Sequence, residues 1–64
     1  MRLEEKYRAG LAHLEAGRLE AAESALRSVA AANPRDAAAH YHLGLALSRR
    51  GKFSAAARAF QWQR

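Results

Sequence analysis

Apolar and polar positions follow a helical period in four segments, which short glycine- or proline-containing breaks separate. In the first segment apolar residues recur every three to four positions, the spacing of one helix face. They are Leu3, Tyr7, Leu11 and Leu14. This spacing predicts a first helix over residues 2–15, with Gly17 placed to adopt the left-handed conformation that closes many helices.

The second segment predicts a helix over residues 19–32. Its inward positions are Leu19, Ala22, Leu26 and Val29. Glu20 and Glu23 come early, where the helix dipole favours acidic side chains. Pro34 cannot continue the hydrogen-bond ladder, so the helix is expected to end at or just before Asn33.

Two more helices are predicted after this break. Asp36 is the candidate N-cap of a third helix over residues 37–50, which Gly51 closes as Gly17 closes the first. Its predicted apolar face is Tyr41, Leu43, Leu45 and Leu47, with the small Ala38 and Ala46. A fourth helix with Ser54 as its N-cap is predicted to bury Phe53, Ala56, Ala57 and Phe60. The fold class expected is all-α, with four helices in antiparallel helix-turn-helix pairs.

The two halves of the chain are related by a shift of 34 residues. The shift superimposes Tyr41 on Tyr7, Gly44 on Gly10, Leu45 on Leu11, Ala46 on Ala12, Gly51 on Gly17, Ala56 on Ala22 and Ala59 on Ala25. A period of 34 residues of helix, turn and helix, with Leu43-Gly44 early, Ala56 and Phe60 later and Pro34 at a repeat end, resembles the tetratricopeptide repeat. The resemblance implies a single domain over residues 1–64, with one repeat at 3–36 and a second, truncated repeat at 37–64.

The resemblance also implies where small residues are needed. Gly10 and Gly44 are expected to let the paired helices approach, as are Ala22 and Ala56, and Leu26 and Phe60 are expected to fill the space beside them. The chain departs from the family pattern at several positions. The early tryptophan is Lys6 in the first copy and His40 in the second, and a packed aromatic is replaced by His13, for which a core or half-buried place is expected.

In such repeats the first helices line a concave groove that holds a peptide or a partner helix. Carried over to this chain, the groove residues are Tyr7, Arg8, Leu11, Leu14, Tyr41, His42, Leu45 and Arg49. The implied function is a non-catalytic scaffold for protein–protein interaction. Ordinary packing between neighbouring helices is the alternative interpretation of these residues. The full set of basic residues with which some members clamp an acidic C-terminal peptide is missing, although Arg8 and Arg49 could hold one carboxylate.

Charge is uneven along the chain, whose formal net charge is +5. Residues 1–36 balance to zero, whereas residues 37–64 carry five cations and no acid. An acidic protein or peptide is therefore one expected kind of partner. The run Arg49, Arg50 and Lys52 is interpreted as a solvated helix end rather than a binding patch. Nucleic-acid binding stays as a lesser alternative, because few aromatic residues accompany the basic ones.

The sequence contains no motif typical of a catalytic or metal-binding site. The chain has no cysteine, and His40 and His42 lie two residues apart, on different sides of a helix. The serines have no spacing that suggests a nucleophile with its base, and the glycines are single rather than clustered in a phosphate loop. We expect no enzyme activity and no cofactor. Without an apolar run that could span a bilayer, a cytoplasmic location is expected.

A chain of 64 residues with two repeats is at the lower limit of independent stability. Self-association is therefore predicted, as a homodimer, through apolar residues at the open end of the second repeat. These residues are Phe53, Ala57, Phe60 and Trp62. A structural self-assembly module and a fragment of a longer array are the alternatives left open.

Overall fold

The computed structural model describes residues 2–52, 55 and 57–59. It contains α1 (Leu3–Glu15), α2 (Leu19–Ala32) and α3 (Ala37–Arg49). Residues 55 and 57–59 are also helical and belong to the predicted fourth helix, α4. The predicted bounds of the first three helices are confirmed to within one residue. The predicted all-α class is confirmed as well. The predicted N-cap Ser54 and the predicted inward residues Phe53, Ala56 and Phe60 lie outside the described residues.

The turn after α1 is closed by a pair of hydrogen bonds around a left-handed glycine. Gly17 has φ of +79° and donates its N–H to the Leu14 carbonyl over 3.2 Å, while the N–H of Arg18 donates to the His13 carbonyl over 2.8 Å. This pair is the Schellman arrangement, which satisfies the last carbonyls of a helix. Gly51, also at φ +79°, repeats both bonds after α3. The predicted role of the two glycines is confirmed.

The turn between α2 and α3 is built from Asn33 and Asp36. α2 ends at the residue before Asn33, as expected from Pro34. The Oδ1 atom of Asp36 accepts a hydrogen bond of 3.1 Å from the N–H of Ala39, so its predicted N-cap role is confirmed.

The core is centred on α2, which packs against both α1 and α3, whereas α1 and α3 contact each other only sparsely. Its buried residues are Leu14, Ala22, Leu26, Val29, Ala30, Ala39, Leu43, Ala46 and Leu47. Leu26 is fully buried, and a Cβ atom placed on Gly10 would lie 2.9 Å from its Cγ atom. The prediction that Gly10 allows close approach and that Leu26 fills the space beside it is therefore confirmed.

The predicted inward face of α3 was partly wrong. Tyr41 is 43% exposed and Ala38 is exposed, whereas Ala39, which was not predicted, is completely buried. The inward positions 39, 43, 46 and 47 keep the three-to-four spacing of a helix. The predicted set of alternate residues does not keep that spacing, which is why Tyr41 lies on another face.

The predicted inward face of α4 was also wrong at the one described position that it includes. Ala57 is exposed, while Ala55 and Ala59 are half-buried and pack against the core. Ala55 and Ala59 are four residues apart and so share a face, and Ala57, midway between them, points elsewhere.

Candidate partner-binding surface

A hydrogen bond links the first helices of the two repeats. The Tyr7 hydroxyl on α1 and Nδ1 of His42 on α3 are 2.9 Å apart, and the two rings meet edge to face with centroids separated by 5.7 Å. Tyr41 adds a third ring, whose centroid lies 5.3 Å from that of His42. Since α1 and α3 otherwise touch little, this aromatic group forms the main bridge between them on the predicted groove side.

The Nδ1 atom of His42 also lies 2.8 Å from the carbonyl oxygen of Ala38, one turn earlier in α3. A carbonyl only accepts, so this bond requires a proton on Nδ1. The N–H then lies between the Ala38 carbonyl and the Tyr7 oxygen, and both can accept from it. In the other tautomer Nδ1 accepts from the Tyr7 hydroxyl instead. Either proton arrangement keeps the tyrosine and the imidazole together.

The predicted groove residues differ in what they can offer to a partner. Leu14 is only 6% exposed and belongs to the core, and Leu11 and Leu45 are half-buried. Tyr41 and Arg8 are exposed. Arg49 is exposed too, with Nη1 3.5 Å from the Leu14 carbonyl, where a cation suits the C-terminal end of α1.

A cavity of about 230 Å³ opens beside Tyr7, where the start of α1 meets the end of α2 and the start of α3. Its lining residues are Leu3, Glu4, Tyr7, Val29, Asn33 and Asp36. Burial raises the pKa of Tyr7 above 10.0, and the negative charge of Asp36 raises it further. The cavity thus combines apolar walls with two carboxylates, and the field of one of them reaches the tyrosine.

Glu23 joins the two repeats by ion pairs, a role that the sequence did not reveal. Glu23 is only 8% exposed. Its carboxylate oxygens lie 2.8 Å from a guanidinium nitrogen of Arg27, 2.5 Å from one of Arg50 and 3.4 Å from the ammonium nitrogen of Lys52. The hydrogen bond from Arg27 does most to lower the pKa of Glu23, and those from Arg50 and Lys52 add to it against the opposing effect of burial. Together they bring the pKa to about 2.

The Glu23 pairs add to two expectations. The sequence places Glu23 with Glu20 early in the second helix, and only its spacing of four from Arg27 could have indicated an ion pair. Arg50 and Lys52 are exposed at the helix end, as expected, but both also pair with Glu23 of α2, which the sequence did not indicate. Among residues 2–52, 55 and 57–59, every ion pair uses Glu23.

A second depression of about 340 Å³, more open to solvent, lies between α1 and α2. It is lined by Lys6, Ala9, His13, Ala21, Ser24, Ala25 and Ser28. His13 is half-buried, as predicted, and its buried Nδ1 atom has no hydrogen-bond partner among the described residues. None of these lining residues is acidic, whereas the cavity beside Tyr7 is lined by two acidic residues.

The predicted self-association residues are mostly untested by the structure. Phe53, Phe60 and Trp62 lie outside the described residues, and Ala57 is exposed on α4. Within the described ranges no three histidine, aspartate or glutamate side chains are grouped as metal ligands would be. In the same part of the chain, no helix combines the length and the apolar character needed to cross a membrane.

The family model for the tetratricopeptide repeat matches residues 7–61 of the chain. No curated protein and no solved structure matches it. The match covers α1 from Tyr7 onward, all of α2 and α3 and the described part of α4, and it therefore includes both sides of the Tyr7–His42 bridge.

Proposed function

The chain belongs to the tetratricopeptide-repeat family, and on that premise we propose that it is a non-catalytic scaffold that binds a peptide or partner helix along α1 and α3. Members of this family generally serve protein interaction rather than catalysis. We take the chain as one domain over residues 1–64 with repeats at 3–36 and 37–64. The proposed groove residues are those predicted from the sequence, with Leu14 acting from beneath as part of the core.

The observation that carries the proposal is the aromatic group across α1 and α3, in which Tyr41 is exposed and Tyr7 and His42 are half-buried. Tyr41 and Leu3 are the exposed large hydrophobic residues within the described part of the chain. The Tyr41 ring contacts the ring of His42, and His42 is hydrogen-bonded to Tyr7. The position of the Tyr41 ring is therefore supported by a neighbour that is itself held in place. Rigid aromatic side chains of this kind contribute much of the energy in protein interfaces.

Peptide selection tests this proposal, because a random library assumes no particular partner. Peptides selected on the wild-type protein are titrated against Tyr41→Ala, with Glu20→Ala, at an exposed position of α2, as the control. Because Tyr41 is outside the core, its loss should leave the helical circular dichroism unchanged while it weakens binding about tenfold, or 1.4 kcal/mol. Equal affinity for wild type and Tyr41→Ala would argue against the groove.

Self-association is the second candidate, and it rests on the short repeat array and the apolar residues predicted for the open end. The predicted dimer is checked by sedimentation equilibrium over a range of concentrations. A mass of 7.0 kDa at every concentration would rule it out.

The nucleic-acid alternative is weakened because Glu23 engages Arg50 and Lys52, and the absence of binding to mixed oligonucleotides at low salt would remove it.

A further inference from the structure

We propose that the cavity beside Tyr7 holds the side chain of a lysine from a partner protein, so that the groove recognises a basic residue at this end. The inference rests on the proposed function and specifies the chemistry of the partner. It also differs from the sequence-based expectation of an acidic partner, which came from charge totals rather than from any one site.

The walls of the cavity suit an aliphatic stem. Leu3 and Tyr7 of α1 and Val29 of α2 supply apolar surface, and Leu3 is 41% exposed. Lysine side chains commonly lay their methylene groups along such surface while the charged end reaches polar atoms. A cavity of about 230 Å³ has room for a side chain of this type but not for a folded element.

The polar groups of the cavity suit an ammonium ion. Glu4, Asn33 and Asp36 come from α1, the turn after α2 and the start of α3, and all three line the same cavity with side chains that carry oxygen acceptors. Ammonium offers three donors from one compact centre, whereas the planar guanidinium of arginine is better matched to a single carboxylate. Three acceptors from three segments therefore favour lysine over arginine.

The two carboxylates are free of basic partners within the part of the chain that the structure describes. All ion pairs there belong to Glu23, and the pair between Glu4 and Arg8 that their spacing favours is not formed. Asp36 uses Oδ1 to cap α3, which leaves its charge and its second oxygen available. Burial is the main cause of the raised pKa of Tyr7, and the negative charge of Asp36 raises it further.

A different protein, rather than a second copy of this chain, is the source of the lysine. The sequence contains two lysines, Lys6 and Lys52. Lys52 is paired with Glu23, and Lys6 lines the depression on another side of α1. Insertion of Lys52 would cost its contact with Glu23, so neither residue is a ready donor for the cavity of another molecule.

Amide-capped amino acids probe the cavity directly in NMR titrations of the full chain at low salt. Nα-acetyl-lysine methylamide is compared with its norleucine counterpart, which has the same stem without charge, and with the arginine counterpart. We expect saturable shifts of the Leu3 and Val29 methyl signals with lysine at millimolar concentration, and weaker binding of the other two. Asp36→Asn should weaken lysine binding about tenfold, because it removes a charged acceptor but keeps a good N-cap residue.

Glu20→Gln is the matched control, since this acid is exposed at the opposite end of α2 and should leave lysine binding unchanged. Equal binding of norleucine, tighter binding of arginine, or no effect of Asp36→Asn would overturn the lysine assignment. If selected peptides depend on Tyr41 but not on a lysine, this inference fails and the groove stands. If lysine binds the cavity while Tyr41→Ala is silent, the groove fails and the site stands.

Discussion

Removing the charge of Glu23 should strongly destabilise this small domain. In Glu23→Gln the shape is retained, but Arg50, whose side chain is 28% exposed, loses its opposite charge in a partly buried place. The pKa of Glu23 falls from 4.5 to about 2 on folding, which at 1.36 kcal/mol per pH unit sets an upper bound of about 3 kcal/mol. Arg27 and Lys52 are 59% and 45% exposed, and solvent screening reduces the expected loss to about 2 kcal/mol.

The stability of the protein should also depend on pH, in a direction that the lowered pKa of Glu23 determines. Because the pKa of Glu23 is lower in the folded state, the protein gains its stabilisation above the unfolded value of 4.5 and loses it as the pH falls toward 2. The wild type should therefore lose about 2 kcal/mol between pH 5 and pH 2 through this group. Glu23→Gln lacks the group, so its deficit should shrink over that range.

Thermal unfolding followed by circular dichroism measures both effects. For a domain of this size, 2 kcal/mol corresponds to a decrease in Tm of roughly 8–16 °C at pH 7. Glu20→Gln, one turn earlier on α2 and exposed, should change Tm little. If Glu23→Gln behaves like Glu20→Gln, or if its deficit at pH 7 persists undiminished at pH 2, the ion pairs do not hold the repeats together.

Two glycines should be sensitive to alanine for different physical reasons. Gly10→Ala places a Cβ 2.9 Å from Leu26 Cγ, so it should destabilise the protein by about 1–3 kcal/mol despite the helix preference of alanine. If the clash with Leu26 is the cause, a double-mutant cycle with Leu26→Ala, measured by urea unfolding, should give a loss smaller than the sum of the two single losses. Gly51→Ala meets no atom within 4 Å, yet at φ +79° it should lose about 1 kcal/mol. Gly51→Asn should recover part of that loss, and full stability of Gly51→Ala would contradict the conformational explanation.

Local signals explain why the helices and turns could be predicted from the sequence. Helical periodicity, the N-cap at Asp36 and the two closing glycines each act over a few residues, so a sequence pattern contains nearly all the information that they need. The 34-residue shift then supplied the pairing of helices. The inward face of α3 was mispredicted at Tyr41 because Tyr41 was assigned to the same side as Leu43, two residues later, although a spacing of three or four is needed for residues to share a face.

Long-range polar contacts could not be predicted in the same way. Glu23 and Arg50 are 27 residues apart, and the spacing of four from Arg27, which sets Glu23 apart from exposed Glu20, does not point to Arg50. Tyr7 and His42 are 35 residues apart, and their bond depends on how α1 and α3 are set against α2. The cavity beside Tyr7 likewise exists only once three helix ends meet.

Local pairing, rather than net charge, decides what this surface can attract. The excess of +5 lies in residues 37–64, but two of its cations are committed to Glu23 of the first repeat. Glu4 and Asp36, in contrast, are left without basic partners among the described residues, at the cavity on the α1 side. A partner thus meets a basic field at long range and two free carboxylates at contact. Because contact chemistry sets specificity while the field mainly sets the association rate, the unpaired carboxylates are the better guide to the ligand.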